Sequence, residues 1–498
     1  MDSEIELKLL VAADAEKKIR TRFIPELGVE YEHESIQLCN IYYDTAEQLL
    51  RKHGMGLRVR GNNGEFEQTI KSKDGSVGGL HKRAEHNVSL ASANLDITLF
   101  PEEIWPKDVS LEELNSQLST LFSTHFRREQ YLIKVSDSDH VEMVFDTGEI
   151  ETDKYQEPVC EIELELKKGT PEAIFKLAVH LLDVVPFRLG YKSKAQRGYE
   201  LIAGEDTEHG PVEMLFPLQK HEDLHASFMQ LLGKTIEYWQ FFEQRYVELN
   251  KLRDLMDLVS VMRLAECAIR LFEQKLNCPE VTALLSRFAA EMEQWQWVEE
   301  LAAIKELLSK KGFYRKKLIK NDAVMKQLQT RQKELLEHHE PLSSLCGKNY
   351  IQLQLEILQL LTLRPWQGQI ESDSLAINKF ARKAIKDELK QSVKRFDFNR
   401  DEALTGYLAG FSSLKHVGQI HTLFGNIIGS RTISSLETWM DLLEGAEELK
   451  VLNILEAHLR KILLDGKDSL IQWCVSKQEG LVKVMELSRH AALAVNDD

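Results

Sequence analysis

The stretch Cys160-Glu-Ile-Glu-Leu-Glu-Leu166 alternates glutamate with aliphatic residues at every step. That is the period of a β-strand, so Glu161, Glu163 and Glu165 share one face and Ile162, Leu164 and Leu166 the other. The pattern recurs at Glu4-Ile-Glu6-Leu-Lys8, with Glu4, Glu6 and Lys8 on the charged face. It recurs again at Gly56-Leu-Arg-Val-Arg60, in the stretches 65–71 and 83–90, and at 140–146, which ends on Asp146. Arg58 and Arg60 oppose Leu57 and Val59. Gly61-Asn-Asn-Gly64 is a hairpin turn between two of these strands. Ser110-Leu-Glu-Glu113 is a capping box for a helix running toward Phe122, and Thr170-Pro171 opens a helix over 172–184. The region reads as α+β.

Acids gather on some of these strands and bases on others. A half-solvated antiparallel sheet, with its charges turned to water, accommodates the alternation. However, three glutamates at i, i+2 and i+4 repel one another unless a cation compensates. Closing the strands into a barrel puts an acidic and a basic wall inside and the aliphatic faces outside. Clustered carboxylates suit hard divalent cations such as Mg²⁺ or Mn²⁺, and arginine and lysine suit phosphate oxygens. A ligand that uses both walls is a polyphosphate carried with its metal.

The chain has 498 residues and a formal net charge of −16. Residues 1–217 hold net −15 and residues 218–498 net −1. Eight of the eleven prolines lie at or before Pro217, and the polar stretch 203–217 reads as a linker. Beyond it, apolar residues recur at helical spacing, as in Leu224 to Phe242, so an all-α bundle is expected. The six cysteines are scattered with no C-x-x-C, as in a chain of reduced thiols. The acidic balance speaks against nonspecific nucleic-acid binding. No apolar run reaches the length of a membrane span, and Met1–Leu10 shows no basic, apolar leader. A cytoplasmic protein with neither a membrane nor a specific nucleic-acid partner is expected.

The ordered set Glu4-x-Glu6-x-Lys8, Tyr42-Tyr43-Asp44-Thr45, Leu57-Arg58-Val59-Arg60, Thr69-Ile-Lys71, Arg83-Ala-Glu85, Phe126-Arg-Arg128, Asp146, Glu163-Leu-Glu165 and Lys192-Ser-Lys194 resembles the CYTH superfamily, the triphosphate tunnel metalloenzymes. The resemblance covers residues 1–202. It implies an eight-stranded antiparallel β-barrel tunnel with flanking helices, then a helical domain over 218–498 that resembles a CHAD domain. The CYTH-then-CHAD order resembles bacterial inorganic triphosphatases, which implies hydrolysis of inorganic tripolyphosphate to pyrophosphate and phosphate. By the same resemblance, Glu4, Glu6, Asp146, Glu163 and Glu165 hold Mg²⁺ or Mn²⁺. Lys8, Arg58, Arg60, Lys71, Arg83, Arg128 and Lys194 bind the triphosphate. Glu4, Glu6, Lys8, Arg58 and Arg60 are the catalytic set. Whether Glu161 ligates is left open, Glu85 orients Arg83 or reaches the lumen, and Lys73 and Lys192 stand as secondary candidates. Thiamine triphosphatase, nucleoside triphosphatase, adenylate cyclase and noncatalytic polyphosphate binding remain the alternatives.

The helical part carries two basic segments, 305–333 with ten Lys+Arg and 379–400 with eight. They are either solvated helix faces or, by the CHAD resemblance, a surface for long-chain polyphosphate. The usual His-x-x-Arg opening of that family is not evident; the nearest stretch, Val261-Met-Arg263 to Arg270, lacks the histidine.

Overall fold

The computed structural model describes residues 3–77, 80–107, 109–204, 214–366, 376–462 and 467–494, without the side chains of 3, 4, 73–77, 81–83 and 430–435. The chain divides into two compact units. The first comprises residues 1–212 and 345–364, and the second residues 213–344 and 365–498.

The first unit is built on strands β1 (Ser3–Val11), β2 (Tyr31–Asp44), β3 (Met55–Asn62), β4 (Glu65–Val77), β5 (Leu80–Leu90), β6 (Ser119–Lys134), β7 (His140–Glu151), β8 (Gln156–Lys168) and β9 (Phe187–Leu189). The structure corrects the expected eight strands to a nine-stranded antiparallel sheet in the order β5-β4-β3-β2-β6-β7-β8-β1-β9, in which β5 also pairs with β1. The reason lies in β1. Its Glu6–Leu10 stretch pairs with β8, while its other edge is divided: Ser3–Leu7 pairs with β5 and Leu9–Val11 with β9. A three-residue strand such as Phe187–Leu189 is too short to announce itself by alternation.

Asn63 and Gly64, at φ of 47° and 89°, make the two-residue turn between β3 and β4, where only left-handed conformations fit the strand twist. The helix from Ser110 is shorter than expected. It spans Leu111–Gln117, with Ser110 Oγ accepting from Glu113 N at 3.4 Å, and β6 begins at Ser119. The alternating Thr120, Phe122, Thr124 and Phe126 favour a strand there. The helix Glu172–Leu182 starts at Pro171, and Thr170 lends it no side-chain cap; its backbone N–H donates to Asp139 Oδ1 instead, at 2.9 Å.

The aliphatic face is core. Leu7, Leu9, Ile162 and Leu164 are fully buried, and the helix Glu172–Leu182 packs Ile174, Ala178 and Leu181 inward against β7 and β8. A second cluster joins Leu57 and Ile70 to Ile97, Phe100, Trp105 and Leu114 of the β5–β6 connection. The helix Lys348–Leu363 also belongs to this unit, lying against the helix Glu172–Leu182 and β9, with Lys348 paired to Asp183.

The second unit is helical. Its long elements include Leu224–Leu249, Leu252–Leu276, Ala403–Phe424, Ser430–Lys461 and Lys467–Ala494. Trp239, Trp439 and Tyr407 are among its fully buried side chains. All six cysteines are free. Among the described residues, no helix is long and apolar enough to cross a membrane.

Candidate active site

Strand register carries the charged alternation from β1 across the sheet. Lys8 lies opposite Glu163 and Glu6 opposite Glu165. Glu161 lies opposite Asp146, and Asp146 opposite Arg128. Arg60 pairs with Asn40 and Arg58 with Tyr42. Arg58 also lies opposite Thr69, Lys71 opposite Glu85, and Arg83 opposite Glu4. Residues directly opposite, and residues two apart, share a face. The expected strand residues therefore stand on one face; the side chains of Glu4, Lys73 and Arg83 lie outside the described residues.

Three carboxylates form the acidic centre. Oxygens of Asp146, Glu161 and Glu163 all lie within 4.8 Å of one another. Glu161 is fully buried. Its Oε1 accepts from Lys8 Nζ at 2.6 Å and from Lys194 Nζ at 2.5 Å, while Oε2 accepts from Arg197 Nη1 at 3.2 Å. Glu163 accepts from Lys8, from Lys194 at 3.1 Å and from Arg128 Nη2 at 3.2 Å. Asp146 takes both prongs of Arg128, and Lys194 Nζ stands 2.7 Å from its Oδ2. Burial alone would raise the Glu163 carboxyl. Lys194, Lys8 and Arg128 outweigh it and hold the group well below the usual carboxylate range. Asp146 is lowered against burial by Lys194 and Arg128. Lys8 and Lys194 are raised despite burial by the carboxylates around them.

The basic side is differently balanced. Lys71 Nζ reaches Glu85 Oε2 at 2.9 Å, and Arg58 Nη2 lies 3.6 Å from Glu85 Oε1. Arg60 Nε donates to Asn40 Oδ1 at 3.0 Å, and Asn40 donates on to Thr124 Oγ1 at 2.9 Å. Burial, with Arg58 and Arg128 nearby, pushes Arg60 down to about 9. Arg58 Nε is buried with no hydrogen-bond partner among the described residues. Of these three neighbouring guanidiniums, Arg128 is compensated by Asp146 and Glu163, and Arg58 is raised despite burial by Tyr42 and Glu85, so Arg60 is the one left with too little negative charge, which is the field an anion relieves.

Lys194 comes from the helix Lys194–Ala203, not from a strand. Ser193 Oγ caps that helix by accepting from Gln196 N at 3.1 Å. Gly198 lets it lie against β6: a Cβ there would stand 2.2 Å from the Phe122 ring. Tyr199 OH donates to the buried Asp44 at 2.8 Å. Asp44 in turn accepts from the backbone N–H groups of Thr45, Leu50 and Arg51. The Tyr42–Thr45 motif thereby fixes the helix that delivers Lys194.

Other expected residues lie around this centre. Glu6 is buried, 3.8 Å from Lys8 Nζ. Glu165 binds Lys167 at 2.7 Å, and Lys167 also lies 3.4 Å from Glu142, so the structure places Glu165 beside the carboxylate cluster and not in it. Lys192 pairs with Glu200 at 2.8 Å. Arg127 is on the opposite face, bound to Glu16 and Glu129. Sequence reasoning missed Arg197, which also binds Glu157 Oε1 at 2.7 Å. The signal was its i+3 spacing from Lys194, which puts both on one helix face. The oxygen-only set Asp146, Glu161 and Glu163 fits a hard divalent cation.

Residues 2–199 match the CYTH domain family. A curated inorganic triphosphatase from Haemophilus influenzae is 33% identical over 216 residues, 40% of this chain and 55% of that protein. The chain thus spans about half the length of this curated relative. A structure from Hippeastrum, named as an adenylyl cyclase with a dominant triphosphatase activity, is 16% identical with a TM-score of 0.30; the match covers 40% of this chain and 95% of that one. The CHAD domain from Ricinus communis is 16% identical with a TM-score of 0.44, over 57% of this chain and 97% of that one.

Proposed function

We propose that the CYTH domain is a divalent-metal-dependent triphosphatase that cleaves inorganic tripolyphosphate to pyrophosphate and phosphate. The observation that carries this is the division of one sheet face. Asp146, Glu161 and Glu163 converge within 4.8 Å, and Arg58, Arg60 and Arg128 crowd together with Arg60 pushed down to about 9. A polyphosphate with its cation satisfies both. The activity of the Haemophilus relative supports the same choice.

In this reading Arg58, Arg60, Lys71 and Arg128 bind the phosphate chain, with Arg83 assigned by register beside them. Asp146, Glu161 and Glu163, with Glu6 adjacent, would hold Mg²⁺ or Mn²⁺. Glu4 joins them on the strand pattern. Such a cation supplies charge neutralisation at the phosphoryl group and a water of lowered pKa. Arg58 and Arg60 fix the orientation of the chain, since guanidinium forks match phosphate oxygens. Positioning and charge stabilisation are the main demands of phosphoryl transfer. The test is phosphate release from tripolyphosphate, ATP, thiamine triphosphate and long polyphosphate, with cyclic AMP formation measured alongside, in Mg²⁺ and Mn²⁺. Turnover led by tripolyphosphate supports the proposal. Turnover confined to an organic triphosphate replaces it with one of the alternatives.

For the helical unit we propose long-chain polyphosphate as a ligand. Three cations converge there on one carboxylate. Arg263 and Lys415 reach Glu299 Oε1 at 2.8 and 2.9 Å, and Lys450 binds Oε2. Burial, Arg263 and Lys450 lower the Lys415 ammonium despite Glu299, with Glu447 nearby. None of the three lies in the basic segments that the sequence singled out. Filter retention of labelled polyphosphate by wild type and by Lys415→Met/Lys450→Met tests it: equal retention contradicts the assignment.

A further inference from the structure

Around the acidic centre, arginines and lysines make different kinds of contact. Arg128 grips Asp146 with a two-pronged fork and also touches Glu163. Arg197 holds Glu161 Oε2 and is itself tied to Glu157 and to the Pro158 carbonyl. These planar groups fix each carboxylate from outside the cluster. Lys8 and Lys194 instead point between the carboxylates. Both donate to one oxygen, Glu161 Oε1, at 2.6 and 2.5 Å, and both reach Glu163. Two ammoniums thus crowd a single carboxylate oxygen and repel each other across it.

We infer that Lys8 and Lys194 are exchangeable counter-cations of the Asp146–Glu161–Glu163 cluster, and that a divalent cation takes their place when a triphosphate draws the two ammoniums onto its own oxygens. This rests on the function proposed above. The charge arithmetic favours exchange. Asp146, Glu161, Glu163 and the adjacent Glu6 face Lys8, Lys194, Arg128 and Arg197, four negative charges against four positive, so the cluster is already balanced. Adding a dication on top would leave it strongly positive, whereas one dication for two ammoniums conserves charge. Released ammoniums need an anion in turn, since burial without one is costly. A triphosphate supplies it beside the under-compensated Arg60. Lysine suits the role because it is a point charge on a flexible stem, unlike the pre-organised arginine fork. The Phe126 ring, its centre 5.0 Å from Lys194 Nζ, shares in holding that ammonium where it stands. Arg128 and Arg197 keep the carboxylates in position when the lysines leave.

Metal and triphosphate binding are then reciprocally coupled. The experiment measures Mn²⁺ bound to the full chain by electron paramagnetic resonance at fixed free Mn²⁺, with and without imidotriphosphate, which resists hydrolysis. Wild type should bind Mn²⁺ weakly alone and at least about tenfold more tightly with imidotriphosphate. Lys194→Gln, and separately Lys8→Met, should bind Mn²⁺ about tenfold more tightly than wild type without imidotriphosphate. They should also lose most of the coupling. A gain in metal affinity is not a result that misfolding produces. Unchanged or weakened Mn²⁺ binding in both variants, with wild-type turnover still metal-dependent, overturns the exchange and leaves the triphosphatase reading standing. No Mn²⁺ bound by wild type under either condition overturns both.

Discussion

Arg128 and Asp146 stand opposite each other in the β6–β7 register and join through two hydrogen bonds, Nε to Oδ1 at 2.8 Å and Nη2 to Oδ2 at 2.7 Å. Asp146 is fully buried, so this pair has no solvent to fall back on. Arg128→Met is expected to cost up to about 3 kcal/mol of stability, the low end for a stranded buried charge, because Lys194 still stands 2.7 Å from Asp146 Oδ2. Arg128→Lys should restore part of that stability but not the fork. Urea denaturation followed by circular dichroism measures both.

The three glutamates of β8 are expected to differ in function. Glu163→Gln and Glu161→Gln should each lower metal-dependent phosphate release by at least about a hundredfold, the scale of losing a group that acts on the reacting charge. Glu165→Gln, whose carboxylate is engaged by Lys167, should stay within about tenfold of wild type. Steady-state kinetics on tripolyphosphate ranks them.

Stability should fall on the acid side for a defined reason. Glu163 and Asp146 keep their charge below the ordinary carboxylate range because Lys194, Lys8 and Arg128 outweigh burial. Unfolded carboxylates titrate near about pH 4. The contribution is therefore complete above about pH 5 and is lost as pH falls through and below that value. Lys8 and Lys194 are shifted upward, so their share persists to the ordinary lysine range and is lost only above about pH 10. Thermal melts across pH should show a plateau between these limits. Glu163→Gln should flatten the acid limb.

Tyr199→Phe removes the hydroxyl that donates to Asp44 and should cost about 1–2 kcal/mol. Gly198→Ala places a methyl 2.2 Å from Phe122 and should shift the helix that carries Lys194. Its expected signature is a rise in KM for tripolyphosphate alongside a lower melting temperature.

The alternation of Glu161, Glu163 and Glu165 made the strand and its charged face legible from sequence, because side-chain period is a local property. Which glutamate lies deepest was not legible. That depends on Asp146 standing opposite Glu161 and on a helix some thirty residues later bringing Lys194 and Arg197 to it. The ninth strand was missed for a similar reason. The divided edge of β1 is set by pairing with the short β9, which local pattern does not reveal. In the helical unit, runs of lysine drew attention to 305–333 and 379–400. Convergence on Glu299 needed Arg263, Lys415 and Lys450 from three separate helices.

The most direct test of the central claim is the product balance on inorganic tripolyphosphate, with Mg²⁺ or Mn²⁺ supplied and then removed by chelation. One phosphate and one pyrophosphate per tripolyphosphate are predicted, stopping on chelation and nearly absent in Glu163→Gln. Release that continues without divalent metal, or that survives in Glu163→Gln at the wild-type rate, would contradict the account.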